Sequence, residues 1–306
     1  MRENVLLSGA SGMIGEALRA SLARESIAAM RLVRGPSDPR PGEVRWNPEA
    51  TSPEHTIPPM LASFPLDAAI HLSGASVAGH RWTTGYRDQL RRSRIVTTRA
   101  LCELLRGLPQ PPRVLICASA IGIYGDRGSQ ILDENSPPGT GFLADLCREW
   151  EAAAQVADDA GIRVVHLRFG IVLGASGGAL AKLLPVFRLG GGGKLGSGHQ
   201  WMSWVTLPDV VRAILFAIAR PDLRGAINVT TPHPVTNEEF TRALGRVLHR
   251  PTVFAVPAMA LKLAFGEMAE GTLLASTRVL PGRLSSAGFR FEQEEIEPAL
   301  RSLLAK

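Results

Sequence analysis

The sequence is short of cysteine, tyrosine and lysine. Its 306 residues include three cysteines, two tyrosines and only four lysines. The cysteines at positions 102, 117 and 147 are too few and too scattered for a disulfide framework or a zinc site, so we expect no metal. The net charge of +6 comes almost wholly from dispersed arginines with few aromatic neighbours. Nucleic acid is therefore not an expected partner.

Long apolar runs are also missing. A membrane-spanning helix needs about 18 consecutive apolar residues, whereas the longest candidates here, such as Ala213–Ala219, have the length of core segments. Gly9, Gly12 and Gly15 interrupt the stretch that a signal peptide would need for its apolar region. We expect a cytoplasmic protein that does not associate with membranes.

Short apolar runs alternate with longer helical patterns, which is typical of βαβ units. The expected fold is α/β, a doubly wound parallel sheet of the Rossmann type with a smaller C-terminal region on the substrate side. The expected strands are Val5–Leu7, Ala28–Val33, Val44–Trp46, Ala68–Leu72, Val114–Ala118, Arg163–Leu167 and Ala226–Thr230. The expected helices include Gly15–Arg24, Gly85–Leu105, Leu143–Asp159, Asp209–Ala219 and Glu238–Leu248.

Two helix starts carry a capping-box pattern, in which a threonine is followed by an acid at the third position. These are Thr206 with Asp209, and Thr236 with Glu239. Beyond residue 175 the pattern loosens into glycine-rich loops, which usually supply a substrate cleft over the sheet edge. We divide the chain into residues 1–250, the dinucleotide-binding domain, and residues 251–306, a small C-terminal helical unit.

A glycine-rich turn follows the first strand. The glycines in Val5–Gly15 fall at positions 9, 12 and 15, between an apolar strand and a helix. The first glycine permits a tight turn, the second admits a pyrophosphate, and the third lets helix pack closely on strand. The free N–H groups at the helix start favour phosphate binding. This loop predicts a dinucleotide site, the alternative being an ordinary glycine-rich turn.

The second strand ends at Arg34, where a site specific for NAD usually has an acid that binds the ribose hydroxyls. The next acid, Asp38, comes only after Gly35 and Pro36. A carboxylate would repel a 2′-phosphate, whereas a guanidinium matches its charge and geometry. The sequence therefore predicts NADP(H) as the cofactor rather than NAD(H).

A second arginine lies on an apolar helix face. Leu90, Arg94, Thr97, Leu101 and Leu104 follow one another at helical spacing, and Arg94 is the only charge among them. A buried arginine needs an anionic or hydrogen-bonding partner. Three interpretations stay open: the nearby cofactor is the partner, Arg94 forms a structural ion pair, or its charged end reaches out of the apolar face to solvent.

Three further segments carry a family resemblance. They are Ala118–Asp126, with its Ser and Tyr-Gly, His71–Gly74 after the fourth strand, and Arg168–Gly174 after the sixth. Together they resemble extended short-chain dehydrogenases and nucleotide-sugar epimerases, in an atypical epimerase-like branch of the NAD-dependent epimerase/dehydratase family with a small C-terminal domain. With the glycine loop, the resemblance implies these cofactor contacts: Gly9, Ser11, Gly12, Met13, Ile14, Gly15, Arg34, Leu72, Ser73, Gly74, Arg94, Ala118, Phe169, Gly170 and Ile171.

The catalytic pair of that superfamily, Tyr-x-x-x-Lys on one helix, is missing. The two tyrosines, Tyr86 and Tyr124, are followed four residues later by Leu90 and Gly128. By resemblance, the tyrosine and lysine positions are held by Leu143 and Cys147. Leucine performs no proton chemistry, and Cys147 fits better as a small buried residue.

The remaining polar candidates are Ser119 and Tyr124 for catalysis, and His199 and Trp201 for substrate binding. The resemblance implies an NADP(H)-binding, epimerase-like oxidoreductase for a small or nucleotide-linked carbonyl or hydroxyl compound. The alternative is a non-catalytic NADP(H)-binding sensor or assembly factor. A homodimer is an expectation by analogy with the family alone.

Overall fold

The fold was analysed in a computed structural model, which describes residues 4–35, 38–49 and 57–305. Part of the proline-rich segment after Arg34 lies outside the described residues. The strands are β1 (Asn4–Ser8), β2 (Ala28–Val33), β3 (Glu43–Arg45), β4 (Ala68–His71), β5 (Val114–Ala120), β6 (Ile131–Leu132), β7 (Arg163–Phe169), β8 (Ile171–Gly174), β9 (Gly193–Leu195), β10 (Trp201–Met202), β11 (Trp204–Thr206), β12 (Gly225–Val229), β13 (Val235–Thr236), β14 (Phe254–Val256) and β15 (Arg278–Val279).

Seven strands form one parallel sheet in the order β12-β7-β5-β4-β1-β2-β3. The order reverses between β1 and β4, so the crevice of a doubly wound sheet opens at their carboxyl ends. Strand β4 is buried along its whole length, as expected for a parallel strand covered on both faces. The predicted fold class is confirmed.

Helices cover both faces of this sheet. They are α1 (Met13–Arg24), α2 (Pro59–Ala62), α3 (Thr84–Arg91), α4 (Thr97–Arg106), α5 (Phe142–Ala152), α6 (Gln155–Asp159), α7 (Gly178–Arg188), α8 (Leu207–Ala219), α9 (Asn237–Leu248), α10 (Ala258–Phe265), α11 (Gly282–Ser286) and α12 (Ile296–Leu304). One apolar layer joins the sheet to α1 and α8, and a second joins the other face to α4 and α6.

Two of the long predicted helices differ from the sequence pattern. A π-helical turn over Arg92–Val96 separates α3 from α4 within the stretch predicted as one helix. The stretch predicted as Leu143–Asp159 is divided at residues 153 and 154 into α5 and α6. Side-chain periodicity averages over a single wide turn or a two-residue break, so it does not reveal either interruption.

The C-terminal residues are interleaved with the rest of the chain. Strand β15 pairs with β6, and α12 packs against α9 and α7 in a third apolar cluster. The buried carboxylate of Asp209, at the start of α8, accepts hydrogen bonds from the backbone N–H groups of Glu292 and Gln293 at 2.9 and 3.3 Å. The segment after residue 250 also contains strands β14 and β15, so it is not wholly helical. The domain boundary at residue 250 stays a prediction.

Candidate cofactor cleft

The glycine turn has the geometry that a phosphate site requires. Gly9 has φ +78°, and a Cβ there would lie 2.5 Å from the carbonyl carbon of Leu72. A Cβ on Gly15 would overlap the carbonyl oxygen of Gly9. Gly12 is exposed, has ordinary backbone angles, and a Cβ there would meet only the Gly9 oxygen, at 3.6 Å. Gly9 and Gly15 are therefore required by packing, while Gly12 borders open space.

Helix α1 begins at this turn without a side-chain cap. Its N-cap is Gly12, which makes no capping hydrogen bond. The first N–H groups of α1 therefore face the cleft and can donate to an anion, assisted by the positive end of the helix dipole. Ser11 is exposed beside this helix start, and Met13 and Ile14 are half-buried. The Met13 side chain packs against Gly177 and Gly178 at the start of α7, closing one side of the cleft.

Arg34 follows β2 directly and is exposed. It lies on the half of the sheet formed by β1, β2 and β3, where the first mononucleotide of a dinucleotide binds in this fold. The Arg31 guanidinium, three residues earlier, is already held by Glu43 at 3.0 Å. Of these two arginines of β2 and its end, Arg34 is the exposed one, and its contact with a 2′-phosphate stays a prediction.

The residues after β4, which are predicted cofactor contacts, lie beside the glycine turn. Leu72 touches Gly9, and Ser73 shares a hydrogen bond of 2.8 Å with Ser8 at the end of β1. Ser8 also shares a bond of 2.6 Å with Nδ1 of the fully buried His71, whose Nε2 has no partner among the described residues. Burial lowers the pKa of His71 to about 4, so its ring is neutral. The sequence does not reveal this series of hydrogen bonds from Ser73 through Ser8 to His71, because two strands far apart in sequence supply its members.

The predicted contacts at the ends of β5 and β7 are Ala118, Phe169, Gly170 and Ile171. Ala118 and Phe169 are buried, and Gly170 and Ile171 are half-buried at the cleft. A Cβ on Gly170 would lie 2.6 Å from the carbonyl oxygen of Ser203, the residue between β10 and β11, so backbone packing alone requires a glycine here. The identity of this residue therefore says nothing by itself about the cofactor.

Arg94 lies inside the π-helical turn and is only 8% exposed. It donates hydrogen bonds to the carbonyl oxygens of Ala75 at 2.9 Å and Leu90 at 3.3 Å. Its guanidinium carbon lies 5.0 Å from the centroid of the Trp150 ring. The buried helix face predicted around Arg94 is therefore present, and the arginine reaches the loop after β4.

Ser119 and Tyr124, the predicted catalytic candidates, are locked into a buried network. Ser119 donates to Glu151 at 2.6 Å, and Glu151 holds Arg168 through two bonds of 2.8 Å. The fully buried Tyr124 hydroxyl donates to Asn228 at 2.8 Å and accepts from Arg168 at 2.9 Å.

The electrostatics of this network keep Tyr124 protonated. Burial raises the pKa of the Tyr124 hydroxyl despite the nearby guanidinium of Arg168. Burial alone would raise the pKa of Glu151, but its hydrogen bonds and ion pair with Arg168 outweigh burial and lower it. With both hydroxyls committed internally, the geometry favours a structural role for Ser119 and Tyr124 over the catalytic role suggested by the sequence.

The positions of the missing catalytic pair lie on α5. Cys147 is buried, and burial raises the pKa of its thiol to about 12, so it is neither a base nor a thiolate at neutral pH. A Cβ on Gly122 would lie 3.4 Å from the Cβ of Leu143 and 4.0 Å from the Cys147 sulfur. Both side chains therefore pack against the turn after β5, where they supply no proton donor.

The two predicted substrate contacts differ in their surroundings. His199 is exposed in the connection between β9 and β10. Trp201 is half-buried, and the Arg278 guanidinium carbon lies 4.0 Å from its ring centroid. Arg278 was not foreseen, because nothing in the local sequence links it to Trp201.

Another residue that sequence reasoning missed is Lys182. Its ammonium donates to the carbonyl oxygen of Ala78 at 3.1 Å, which joins α7 to the loop after β4.

Of the helices that the structure describes, none combines the length and apolarity of a membrane crossing.

The strand order, the glycine turn and the uncapped helix start define a Rossmann-type dinucleotide-binding fold. The model of the NAD dependent epimerase/dehydratase family matches residues 5–230, and that of a domain of unknown function (DUF1731) matches residues 256–303. This chain belongs to the NAD dependent epimerase/dehydratase family, as its motifs predicted.

Relatives align over nearly the whole chain. Epimerase family protein Mb2239 of Mycobacterium bovis is 43% identical over 297 residues, 97% of this chain and 96% of its own. The crystal structure of human epimerase family protein SDR39U1 (isoform 2) with NADPH has a TM-score of 0.87 and 30% identity, covering 98% of each chain. UDP-glucose 4-epimerase of Thermus thermophilus in complex with NAD, at 20% identity and TM-score 0.70 over 99% of each chain, shares the fold alone.

Proposed function

We propose that this chain binds NADP(H) across the carboxyl ends of β1, β4, β5 and β7. The observation that carries the proposal is the uncapped start of α1 at Gly12, an exposed glycine with open space beside it. Helix N–H groups without partners and a backbone that a phosphate can approach closely are what a pyrophosphate needs. The human relative solved with NADPH supports this choice of ligand.

Arg34 supports NADP(H) over NAD(H). Its exposed guanidinium follows β2 at the place where an acid would bind the ribose hydroxyls of NAD. A cation there attracts the 2′-phosphate and can bind two of its oxygens at once. The 2′-phosphate is the group by which the two cofactors differ.

The further proposal is an epimerase-like oxidoreductase that acts on a small or nucleotide-linked carbonyl or hydroxyl compound. The nicotinamide, when bound, supplies the hydride chemistry. The protein would hold the substrate from the β9–β10 side, with Trp201 and its stacked Arg278 as a flat, cationic surface and His199 at the exposed edge.

A second candidate function, a non-catalytic NADP(H)-binding sensor or assembly factor, rests on one observation. Leu143 and the neutral Cys147 occupy the helix positions from which relatives in the superfamily supply a proton donor. The buried Ser119 and Tyr124 do not replace them. Cofactor occupancy rather than turnover would then be the output.

Calorimetric titration of NADPH and NADH into the protein and into Arg34→Ala tests the cofactor. We expect the protein to prefer NADPH, and the preference to shrink about tenfold, ~1.4 kcal/mol, in Arg34→Ala. Arg290→Ala removes another exposed arginine, on the segment before α12, and should leave the preference intact. If neither nucleotide binds, the glycine turn is not a dinucleotide site; if the preference survives without Arg34, another group reads the 2′-phosphate.

NADPH absorbance separates the two candidate functions. An oxidoreductase oxidises NADPH with at least one compound of a panel of aldehydes, ketones and keto sugars, or reduces NADP⁺ with at least one of the corresponding hydroxyl compounds. A sensor binds NADPH in the calorimetric titration, but the absorbance of the cofactor stays unchanged with every compound tested.

A further inference from the structure

Arg94 is a buried cation whose partners are all neutral. Besides the carbonyl oxygens of Ala75 and Leu90, it donates only to the Ser93 hydroxyl, at 3.4 Å. Among the described residues no carboxylate pairs with it. Burial lowers the pKa of Arg94, which records the cost of keeping this charge away from water, although arginine remains protonated at neutral pH.

The neighbouring ionisable groups do not cancel this charge. Cys147 and Tyr86 interact electrostatically with Arg94. Burial raises the pKa of the Cys147 thiol to about 12, so it is neutral at pH 7, and the Tyr86 hydroxyl donates a hydrogen bond to the carbonyl oxygen of Ser76. The Glu151 carboxylate lies one turn beyond Cys147 on α5, but it is neutralised by its two-point ion pair with Arg168. The end of β4 and β5 therefore carries one uncompensated positive charge.

This charge borders the half of the cleft where a nicotinamide would lie. The guanidinium carbon of Arg94 is 3.2 Å from the position that a Cβ of Gly74 would take, and Gly74 is exposed in the loop after β4. Cys147, which interacts electrostatically with Arg94, lies beside the turn after β5, where its sulfur is 4.0 Å from the position that a Cβ of Gly122 would take. In a doubly wound sheet the second mononucleotide binds over β4 and the strands beyond it, opposite the half that holds Arg34.

We propose that Arg94 makes this site selective for the reduced cofactor, because its uncompensated charge faces the nicotinamide half of the cleft. This inference rests on the proposed binding of NADP(H). The oxidised nicotinamide ring carries a positive charge and the reduced ring carries none. A fixed cation in a poorly solvated site repels the oxidised ring and leaves the reduced ring unaffected.

The selectivity can be measured as a ratio of dissociation constants. NADPH, NADP⁺ and 2′,5′-ADP, which lacks the nicotinamide half, are titrated calorimetrically into the protein, Arg94→Gln and Arg94→Lys. We expect the wild-type protein to bind NADPH about tenfold or more tightly than NADP⁺. Arg94→Gln should bring the two affinities to within about threefold, Arg94→Lys should keep most of the difference, and 2′,5′-ADP should bind all three proteins equally.

Each outcome decides the question. Binding of 2′,5′-ADP together with equal wild-type affinities for NADPH and NADP⁺ overturns the selectivity and leaves the dinucleotide site standing. Parallel weakening of NADPH and NADP⁺ in Arg94→Gln shows that Arg94 is a structural residue and also overturns it. If Arg94→Gln does not fold, a wild-type protein that binds NADPH and NADP⁺ equally still overturns the selectivity. A wild-type protein that binds none of the three probes removes the proposed function and this inference with it.

Discussion

The carboxylate of Glu151 and the guanidinium of Arg168 face each other across α5 and β7 in a two-point ion pair. Both bonds, Nε to Oε1 and Nη2 to Oε2, measure 2.8 Å. Their side chains are 14% and 10% exposed, respectively. Two fixed bonds in a poorly solvated setting hold the helix at one angle to the sheet, and Ser119 and Tyr124 complete the hydrogen bonding of the pair.

Removing one partner of this pair should be costly. Glu151→Ala leaves the Arg168 guanidinium buried without its counter-ion, so we expect the free energy of unfolding to fall by about 3 kcal/mol. Urea denaturation measures this change. The control is Glu149→Ala, which removes the exposed partner of Arg91 and should cost less than about 1 kcal/mol. If the two substitutions lower the free energy of unfolding equally, the buried pair contributes no more to stability than the exposed pair.

The stability of the protein should decrease as the pH falls from 7 to 5. Burial holds the pKa of His71 at about 4, whereas the same ring in the unfolded chain takes up a proton near its ordinary value of 6.5. Protonation therefore stabilises the unfolded state first, and the loss continues until the folded state also binds the proton near pH 4. The titration of His71 alone lowers the free energy of unfolding by about 2 kcal/mol between pH 7 and pH 5. Burial lowers the pKa of His166 as well, which adds to the loss.

Urea denaturation at a series of pH values measures this dependence. His71→Asn keeps a hydrogen-bonding group near Ser8 but cannot titrate, so its curve should be shallower than that of the wild type. His80→Asn, which changes an exposed histidine, should follow the wild-type curve. A slope unchanged in His71→Asn would place the titration elsewhere.

The two glycines at the start of α1 should respond differently to alanine. A Cβ on Gly15 overlaps the backbone of the preceding turn, so Gly15→Ala should lower the free energy of unfolding by about 2 kcal/mol. Gly12→Ala should change it by no more than about 1 kcal/mol, because its backbone angles suit alanine and the methyl group enters open space. That space is the proposed pyrophosphate site, so NADPH affinity should fall about tenfold.

Thermal unfolding and calorimetry on the same samples separate the two effects. A Gly12→Ala protein that binds NADPH like the wild type would mean that the phosphates lie elsewhere.

Arg94 and Cys147 should be coupled if their side chains are neighbours. Cys147→Lys places a second cation in a buried site beside Arg94, which we expect to lower the free energy of unfolding by about 3 kcal/mol. In Arg94→Gln the same substitution should cost about 1 kcal/mol less, because the like-charge repulsion is gone. A double-mutant cycle measures this coupling by urea denaturation.

Cys102→Lys is the matched control for this cycle. Cys102 is fully buried and lies eight positions from Arg94, about 12 Å by helical rise. Its cost should not depend on Arg94. Coupling of the same size at both cysteines would point to a general loss of stability rather than to proximity.

Local signals predicted the fold and one half of the site. The strand Ala28–Val33 has the predicted limits, and the glycine turn joins strand to helix as expected. The capping box at Thr236 forms with both of its hydrogen bonds. Thr206 caps its helix too, although the Asp209 carboxylate accepts from the Thr206 hydroxyl and from the backbone N–H groups of Glu292 and Gln293 rather than from the backbone of the cap residue.

The other half of the site depends on partners far apart in sequence. Tyr124 and Asn228 are separated by 104 positions, and no periodicity predicts that their side chains meet. For the same reason the sequence predicts Ser119 as a catalytic candidate, although in the structure its hydroxyl donates to the carboxylate of Glu151. The position of a residue in the sequence indicates that it ends a strand, but the direction of its side chain follows from tertiary packing.

The hydrogen bonds that the Asp209 carboxylate accepts from Glu292 and Gln293 have a consequence for biosynthesis. Helix α8 is synthesised long before its buried carboxylate receives the backbone donors at the other end of the chain. Until residues 292 and 293 are synthesised, the Asp209 carboxylate has only Arg212 and Thr206 of its own helix start as partners and lacks these two backbone donors, which disfavours early burial of the acid. A chain truncated before residue 292 would therefore lack two of the hydrogen bonds that the buried carboxylate of α8 accepts in the complete fold.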